Sequence, residues 1–477
     1  MGISLYDTLS RTVKELERGE NGKCFGMYCC GPTVYGPAHI GNFRTFVVQD
    51  LLRRLLEFAG YNPLHVRNIT DVDDKTIRQS QAEGISLKAF TEKWTERFHA
   101  DCKALNLLDP HQEPRATAHI QQQIDLISNL IKKGFAYKGN DGSVYFRVSA
   151  FKDYGRLSHL DPSEVNVQGV GSRKETQSAD EYERDAITDF ALWKARKEED
   201  GENFWKSPWG EGRPGWHIEC SAMSMQYLGE TMDLHAGGID LCFPHHENEI
   251  AQAEAVTNKV FAKHWLHIVH LMVEGRKMSK SLGNLYTLKD IEEKGFSPMV
   301  SRYLLLSAHY RQPLNFTFDG LHAAQSALGR IESFVSNLLT AADWSNEKWT
   351  QLAASPQIPE EWSIFGKAWD FLVDDLNTPA SLGALFTAMN NCPGTTDQGN
   401  ARNILKVLAA VLFAFGLRLF TEKKIILEIP QKIRDLAEMR WQAKLSKDFA
   451  LADTYRKQIA ALGWEILDRK DGYDLKQ

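Results

Sequence analysis

The chain has 477 residues, 43% of them hydrophobic and 25% charged, which is enough for about two to four folded domains and excludes a disordered or fibrous protein. A net charge of −6 excludes a uniformly basic nucleic-acid binder, so any nucleic-acid contact must use a local basic surface on an acidic body. Seven cysteines in a chain of this length are no disulfide framework and fit a reducing compartment. The start, Met1-Gly2-Ile3-Ser4-Leu5-Tyr6, lacks the parts of a signal peptide and the Ser or Thr that myristoylation wants at position six. No apolar run reaches the about 18 residues of a membrane span. The expectation is a cytoplasmic protein with no membrane contact.

Phe25–Cys29 is a short apolar run with the look of a buried strand. After a turn containing Gly and Pro, the residues Phe43, Phe46, Val47, Leu51, Leu55 and Phe58 recur at helical spacing. They predict a helix over about 41–59, ended by Gly60. A second apolar run, 64–69, completes a strand–helix–strand unit, the building block of a parallel sheet. From 121 to 212 this rhythm breaks. Gly139-Asn140-Asp141-Gly142 predicts a hairpin turn between Ala136-Tyr137 and Val144-Tyr145-Phe146, and the polar stretch 168–183 reads as mobile. The segment is expected to be an insertion into the sheet domain. The sheet pattern resumes near Gly215, and 268–273 reads as another strand. Beyond about 320 the chain becomes helical. Thr378 is predicted as an N-cap with Pro379 at the first helical position, and 407–417 as part of a core helix. Residues 421–477 read as a small unit of their own, with 12 Lys/Arg against 10 Asp/Glu. There Leu451, Tyr455, Ile459 and Leu462 form a stripe on one helix, and Gly463 stops it.

Three features carry chemistry. His39-Ile40-Gly41-Asn42 lies where the first strand gives way to the first helix. A helix N-terminus attracts phosphate, Gly41 lets a ligand approach the backbone, and His39 and Asn42 can donate to a phosphoryl oxygen. The same string also fits a surface histidine beside a tight turn. Lys277-Met278-Ser279-Lys280-Ser281 follows a late strand and fits a cationic clamp for a triphosphate, or a solvated basic loop. Cys30, Cys220, His245 and Glu249 are all zinc-binding residue types, each beside one of the motifs, and His245 and Glu249 are four apart, on one face of a helix. His246 points elsewhere by that geometry and reads as structural. Cys24, Cys29, Cys102, Cys242 and Cys392 read as small hydrophobes.

An early His-Ile-Gly motif paired with a late Lys-Met-Ser-Lys-Ser motif resembles the class I aminoacyl-tRNA synthetases. Within them the chain is similar to the cysteinyl-tRNA synthetases. The likeness is carried by Cys30-Gly31-Pro32-Thr33-Val34-Tyr35, Arg67-Asn68-Ile69-Thr70-Asp71, the run from Gly212 through Trp216 to Ser221, the run from Gly237 to Glu249, the run from Lys277 to Asn284, and Asp374-Asp375-Leu376-Asn377-Thr378-Pro379.

The resemblance implies an α/β fold: a Rossmann-type parallel-sheet catalytic domain with an insertion, followed by a helical bundle and a small C-terminal domain. The expected boundaries are 1–120 and 213–255 for the catalytic domain, 121–212 for a connective-peptide insertion, 256–325 for a stem-contact region with the Lys-Met-Ser-Lys-Ser loop, 326–420 for a tRNA-binding helical bundle, and 421–477 for an anticodon-binding domain. It implies one Zn²⁺ per subunit on Cys30, Cys220, His245 and Glu249, with Glu249 the weakest ligand and the substrate sulfur a further one. A soft thiolate prefers zinc far more than a hydroxyl does, so the ion would separate cysteine from serine without an editing domain.

The resemblance also places L-cysteine beside Thr70, Trp216 and His235, although Trp216 equally fits core packing. It places ATP, used with Mg²⁺, against His39, Gly41, Asn42, Asp240 and Lys280. Asp240 is a ribose acceptor or a turn cap. His39, Asn42, Lys277 and Lys280 would stabilise charge as the cysteine carboxylate attacks the α-phosphorus. The terminal 2′-hydroxyl of tRNA(Cys) would then take the cysteinyl group, and the family is expected to work as a monomer. Two departures stand out. Asn42 replaces the usual histidine of the first motif, with activity expected to survive, and the chain ends Gly472-Tyr473-Asp474-Leu475-Lys476-Gln477 without the family's tryptophan segment. Trp464 or Tyr473 remains as a base-stacking candidate, core packing being the commoner use of Trp464. Three rivals were weighed. A ligase joining cysteine to an amino sugar would not need 421–477. A non-catalytic RNA-binding relative would not need the intact clamp, and a zinc hydrolase would need a zinc-bound water and a base.

Overall fold

The computed structural model describes residues 2–18, 24–160, 189–278, 282–392, 397–420, 431–446, 448–462, 464–469 and 472–476. The polar stretch 168–183, residues 279–281 with Lys280, and Gly463 lie outside them. The chain forms two compact units, 1–419 and 420–477.

The first unit is built on four parallel strands in the order Ala262–Ile268, Met232–Gly238, Phe25–Cys29, Pro63–Arg67. Phe25–Cys29 is buried along its whole length, as a central strand covered on both faces must be. The helix Ile40–Phe58 crosses from Phe25–Cys29 to Pro63–Arg67 on one side. The chain returns to Met232–Gly238 on the other side only after the insertion. The connection therefore changes direction beside Phe25–Cys29, and ligands bind at such a point, outside the carboxyl ends of the strands. The helix buries Phe43, Phe46, Val47, Leu51 and Leu55, and Gly60 follows it at φ +75°, a conformation that glycine enters without strain.

The insertion contributes five antiparallel strands in the order Ala136–Lys138, Val144–Phe146, Phe190–Ala195, Gly210–Pro214, Trp205–Ser207. The predicted turn closes through Gly139 N–H to Ser143 O at 2.8 Å, with Gly142 at φ +86°. The segment 268–273 is not one strand. Ala262–Ile268 ends in the parallel sheet, whereas Leu271–Val273 belongs to a separate three-stranded sheet with Arg276–Lys277 and Leu314–Phe316. The apolar run is unbroken in sequence, so the change of sheet carried no signal.

Five helices follow: Phe318–Ala342, Asn346–Ala354, Gly366–Val373, Thr378–Asn391 and Gln398–Phe415. The N-cap of Thr378–Asn391 is Asn377, whose side chain accepts from Ala380 N–H, so Thr378 is the first helical residue and Pro379 the second. Asparagine is as good a cap as threonine, and proline fits either place in the first turn, so the sequence left both frames open.

The second unit pairs the helices Gln431–Leu445 and Phe449–Ala461 with a hairpin, Glu465–Arg469 and Gly472–Lys476. Its core is Ile433, Ala437, Ile459, Trp464 and Ile466, with Tyr473 against it. Trp464 is thus a packing residue. The predicted stripe does not form as a buried face: Ile459 is buried, but Leu451 and Leu462 are 42% and 43% exposed. A 13-residue helix in a unit this small cannot bury all its apolar positions.

Candidate metal centre and nucleotide cleft

A cleft of about 780 Å³ opens at the carboxyl ends of the parallel strands. Cys30, His39, Gly41, Asn42, Asp240, Lys277 and Met278 line it, together with Val269 and His270, which the sequence offered only as part of a strand. Gly31, at its floor, cannot be another residue: a Cβ there would lie 1.6 Å from the carbonyl oxygen of Asn68.

Cys30, Cys220, His245 and Glu249 converge below this cleft from four places in the chain. Cys30 directly follows the strand Phe25–Cys29, and its N–H donates to Ala236 O at 3.1 Å. Cys220 sits in the first turns of Trp216–Leu228. His245 precedes and Glu249 lies within Glu247–Thr257. All four are buried, and their donor atoms lie within 4.8 Å of one another. His245 Nε2 is 3.0 Å from Glu249 Oε1, the spacing expected for neighbours on one helical face.

The other carboxylate oxygen of Glu249 accepts from His235 Nε2 at 2.8 Å, and His235 stacks on Trp265. His217 Nδ1 lies 2.9 Å from His245 Nδ1, and Trp216 covers the His245 ring at 4.2 Å. Trp216 and His235 thus touch the centre. Thr70 is buried and is not among the residues lining the cleft; its N–H donates to Pro32 O and its carbonyl accepts from Val34 N–H, both of which do line it.

His246 faces other partners than His245 does, but it too reaches the cluster. Its Nε2 is 3.3 Å from Cys30 Sγ, and its Nδ1 is 2.8 Å from His267 Nε2. Phe243 has extended backbone angles, but the residues that follow it are helical, so His245 and His246 stand about 100° apart and meet the cluster from different sides. Cys30, His235, His246 and Glu249 consequently form a second, overlapping donor set. Sequence could have flagged His267, which stands two residues beyond Trp265 and so on the same face of its strand.

The electrostatics of the buried set fit a cation. Burial pushes the Glu249 carboxyl up, but the charges of His235 and His245 and the hydrogen bonds from both more than offset it, leaving it at about 2. Burial likewise pushes His245 down, and Glu249 with Cys220 more than offsets that, lifting it to about 10. The hydrogen bond from Cys30 brings the Cys220 thiol down to about 6, while burial raises the Cys30 thiol. The two sulfurs therefore share one proton, and a proton on His245 compensates the anions that a metal ion would neutralise. The hydroxyl of Tyr28 is buried beside the thiols, and burial with the nearby Cys220, Cys30 and Glu249 pushes its pKa up.

The nucleotide side is built differently. His39 caps the helix Ile40–Phe58: its Nδ1 accepts from Asn42 N–H at 3.2 Å, and Asn42 Oδ1 accepts from His39 N–H at 3.1 Å. This reciprocal cap uses the acceptor of each side chain. It assigns the His39 proton to Nε2 and leaves the Asn42 amide as a donor. Asn42 thus serves as the acceptor of the cap while its amide N–H₂ remains a donor. Met278 lies over Gly41, where a Cβ would meet its terminal methyl at 2.4 Å, and Ile40 N–H donates to Tyr286 O at 2.9 Å. The early motif is thus held by the segments flanking the late one. Asp240 follows the strand Met232–Gly238 on an exposed turn, and Lys277 is exposed.

The family described as tRNA synthetases class I (C) catalytic domain matches residues 16–326. A protein of Opitutus terrae named cysteine--tRNA ligase is 52% identical over all of this chain and 99% of its own length. One of Brachyspira hyodysenteriae with the same name is 44% identical over 100% of this chain and 99% of that protein. Among solved structures, Mycobacterium tuberculosis methionyl-tRNA synthetase bound by methionyl-adenylate superposes with a TM-score of 0.59, over 90% of this chain and 96% of that one. At 14% identity that likeness shows the fold alone.

Proposed function

This chain belongs to the cysteine--tRNA ligases, class I aminoacyl-tRNA synthetases, and from that premise we propose how its own residues activate cysteine and pass it to tRNA(Cys). The observation that carries the reading is the buried thiolate–imidazole–carboxylate set at the floor of the strand-end cleft.

Of the two overlapping sets, Cys30, Cys220, His245 and Glu249 hold the metal, one ion per subunit. Two sulfurs with an imidazole and a carboxylate select zinc over harder cations. His235 and His246 are better used as outer partners, since each already bonds a member of that set at 2.8 Å and 3.3 Å. When bound, zinc supplies a soft centre that takes the substrate sulfur as a thiolate, which distinguishes cysteine from serine where size and shape alone do so poorly. Trp216 closes the pocket against the His245 side, and Thr70 backs its other wall through Pro32 and Val34.

With the sulfur fixed below, the cysteine carboxylate faces the α-phosphate of ATP. A carboxylate oxygen forms a bond to the α-phosphorus, the bond to the bridging oxygen of pyrophosphate breaks, and pyrophosphate leaves with Mg²⁺. His39 Nε2–H and the Asn42 amide donate to the phosphoryl oxygens as charge grows there, Gly41 lets the phosphates lie against the helix N-terminus, and Lys277 and Lys280 neutralise the leaving group. Asp240 accepts from the ribose hydroxyls. In the second step the 2′-oxygen of the terminal adenosine attacks the carbonyl carbon and AMP leaves. The helical region 326–420 and the unit 421–477 take the body and anticodon of the tRNA. Every residue of the centre comes from one chain, which fits a monomer, and charging of tRNA fits the cytoplasm.

ATP–pyrophosphate exchange tests the reading. It is expected to require cysteine and to be followed by charging of tRNA(Cys). Exchange supported equally by other amino acids, or absent with cysteine, would refute it.

A further inference from the structure

Asp374-Asp375-Leu376-Asn377-Thr378-Pro379 has no part in the activation chemistry above, yet its backbone is the most constrained turn in the helical region. Asp375 and Leu376 both have left-handed backbone angles, at φ 57° and 49°. Aspartate tolerates that region, but leucine does not adopt it without cost. Both residues are buried, at 5% and 1% exposure. Such a turn persists only where its surroundings fix it, and here they do.

The Asp375 carboxylate gathers three donors from two distant segments. Oδ1 accepts from Tyr6 N–H at 2.8 Å and from the Tyr310 hydroxyl, and Oδ2 accepts from the Arg311 guanidinium. Asp375 N–H also donates to Ser4 O at 2.8 Å, and Arg311 lies over the Tyr6 ring at 4.7 Å. One side chain therefore locks the N-terminal strand Ser4–Asp7 and the loop 309–312 to the turn between two helices.

The loop 309–312 in turn holds both sides of the nucleotide cleft. Tyr310 O accepts from Val269 N–H at 2.8 Å, and Val269 and His270 line the cleft where the strand Ala262–Ile268 ends. His309 O accepts from Arg44 at 3.1 Å, and Gln312 O accepts from the same guanidinium. Arg44 is buried on the helix that carries His39 at its cap, five residues on. No other described contact of that guanidinium anchors it: Nε and Nη1 find no partner among the described residues. The wall at 269–270 and the phosphate-binding helix start are thus both referred to one loop, and that loop to one carboxylate.

We propose that Asp375 is a positioning residue for the nucleotide half of the cleft, setting the distance between the 269–270 wall and the His39 helix through loop 309–312. Asp375 itself touches none of the four zinc ligands and none of Thr70, Trp216 and His235, and the strand Ser4–Asp7 meets the centre only at a remove, through Thr8 and His267. The inference rests on the reading of this cleft as the ATP site.

The test is steady-state ATP–pyrophosphate exchange by Asp375→Ala, Asp375→Asn and Tyr310→Phe, with Asp374→Asn as a control on the exposed neighbour. Asp375→Ala is expected to raise KM for ATP by about tenfold and leave KM for cysteine and the zinc content within about twofold, since small misplacements of a positioned reactant cost that much or more. Asp375→Asn keeps the left-handed turn and the acceptor for Tyr6 and Tyr310, so it should recover most of the loss. Tyr310→Phe, which removes one donor and leaves the turn intact, should raise KM for ATP by about threefold. If Asp375→Ala does not fold, the folded Tyr310→Phe protein decides. An unchanged KM for ATP in a folded variant, or equal rises for ATP and cysteine, would overturn the assignment. Wild-type exchange that shows no saturation with ATP would instead overturn the reading of the cleft, and this inference with it.

Discussion

The metal centre and the nucleotide cleft share one floor but are constructed to opposite rules. At the centre, every donor atom is buried and held by a partner that is itself held: Glu249 by His235, His235 by Trp265, Cys30 by His246, His246 by His267, His267 by Thr8 at 2.7 Å. In the cleft, Asn42, Asp240 and Lys277 are exposed, and His39 and Asn42 are held by their reciprocal helix cap. The difference follows from the two tasks. Telling sulfur from oxygen is a one-atom distinction that needs ligands fixed before substrate arrives. Phosphoryl transfer needs donors that meet charge only as it develops, around a ligand whose own phosphates complete the site.

The comparison breaks most readily at the centre. Cys220→Ser should abolish stoichiometric zinc and depress cysteine-dependent exchange by more than the ~10–100-fold typical of losing an outer partner. Metal analysis beside exchange kinetics reads both, and a variant that keeps zinc and rate would show that Cys220 is no ligand. In the cleft the two effects should separate. His39→Ala should slow exchange by about 10²–10³ while zinc content stays at one per chain, because a lost oxyanion donor costs that much. Asn42→Ala should cost less in rate and about 0.5–1.5 kcal/mol in stability, the usual net worth of the one hydrogen bond its side chain accepts from His39 N–H. If either substitution released zinc, the two regions would not be independent.

A smaller effect sharpens the electrostatic side. In the metal-free protein His245 is raised to about 10, so its stabilising charge is fully present below its ordinary value near 6.5 and is lost as pH rises through 10. Between pH 7 and 9 that loss is offset by the Cys220 thiol, which is held at about 6 and so adds stability up to its ordinary value near 9; the unfolding free energy of the metal-free protein, read from urea titrations, should therefore stay level to pH 9 and fall above it, by about 1.4 kcal/mol per pH unit for each such group. The zinc-loaded protein, in which His245 is a ligand and carries no such proton, should stay level above pH 9 too. Parallel slopes would mean that His245 does not bind the ion.

What could be read from the sequence divides along the same line. The strand–helix–strand unit, the turn at 139–142 and the core helix were legible because period and turn residues are local. So was the pairing of His245 with Glu249, four apart on one helix. The convergence of Cys30 and Cys220 with that pair came from family resemblance, since no local pattern brings residues 190 positions apart together. That His246 also reaches the cluster was hidden, because its partners Cys30 and His267 come from distant parts of the chain. The change of sheet after Ile268 and the frame of the cap at Asn377 were hidden because the residues there suit either alternative. Asp375 was legible only as part of a motif, since its left-handed backbone and its distant partners Tyr6 and Tyr310 leave no mark in spacing.

The central claim is that the buried four-ligand centre, and not the shape of the pocket, selects cysteine. The most direct measurement is charging of tRNA(Cys) with cysteine and with serine, before and after zinc is stripped by chelator and after it is restored. The account predicts that stripping removes cysteine charging and its preference over serine, and that added zinc restores both. A metal-free protein that still charges cysteine in strong preference to serine would contradict it.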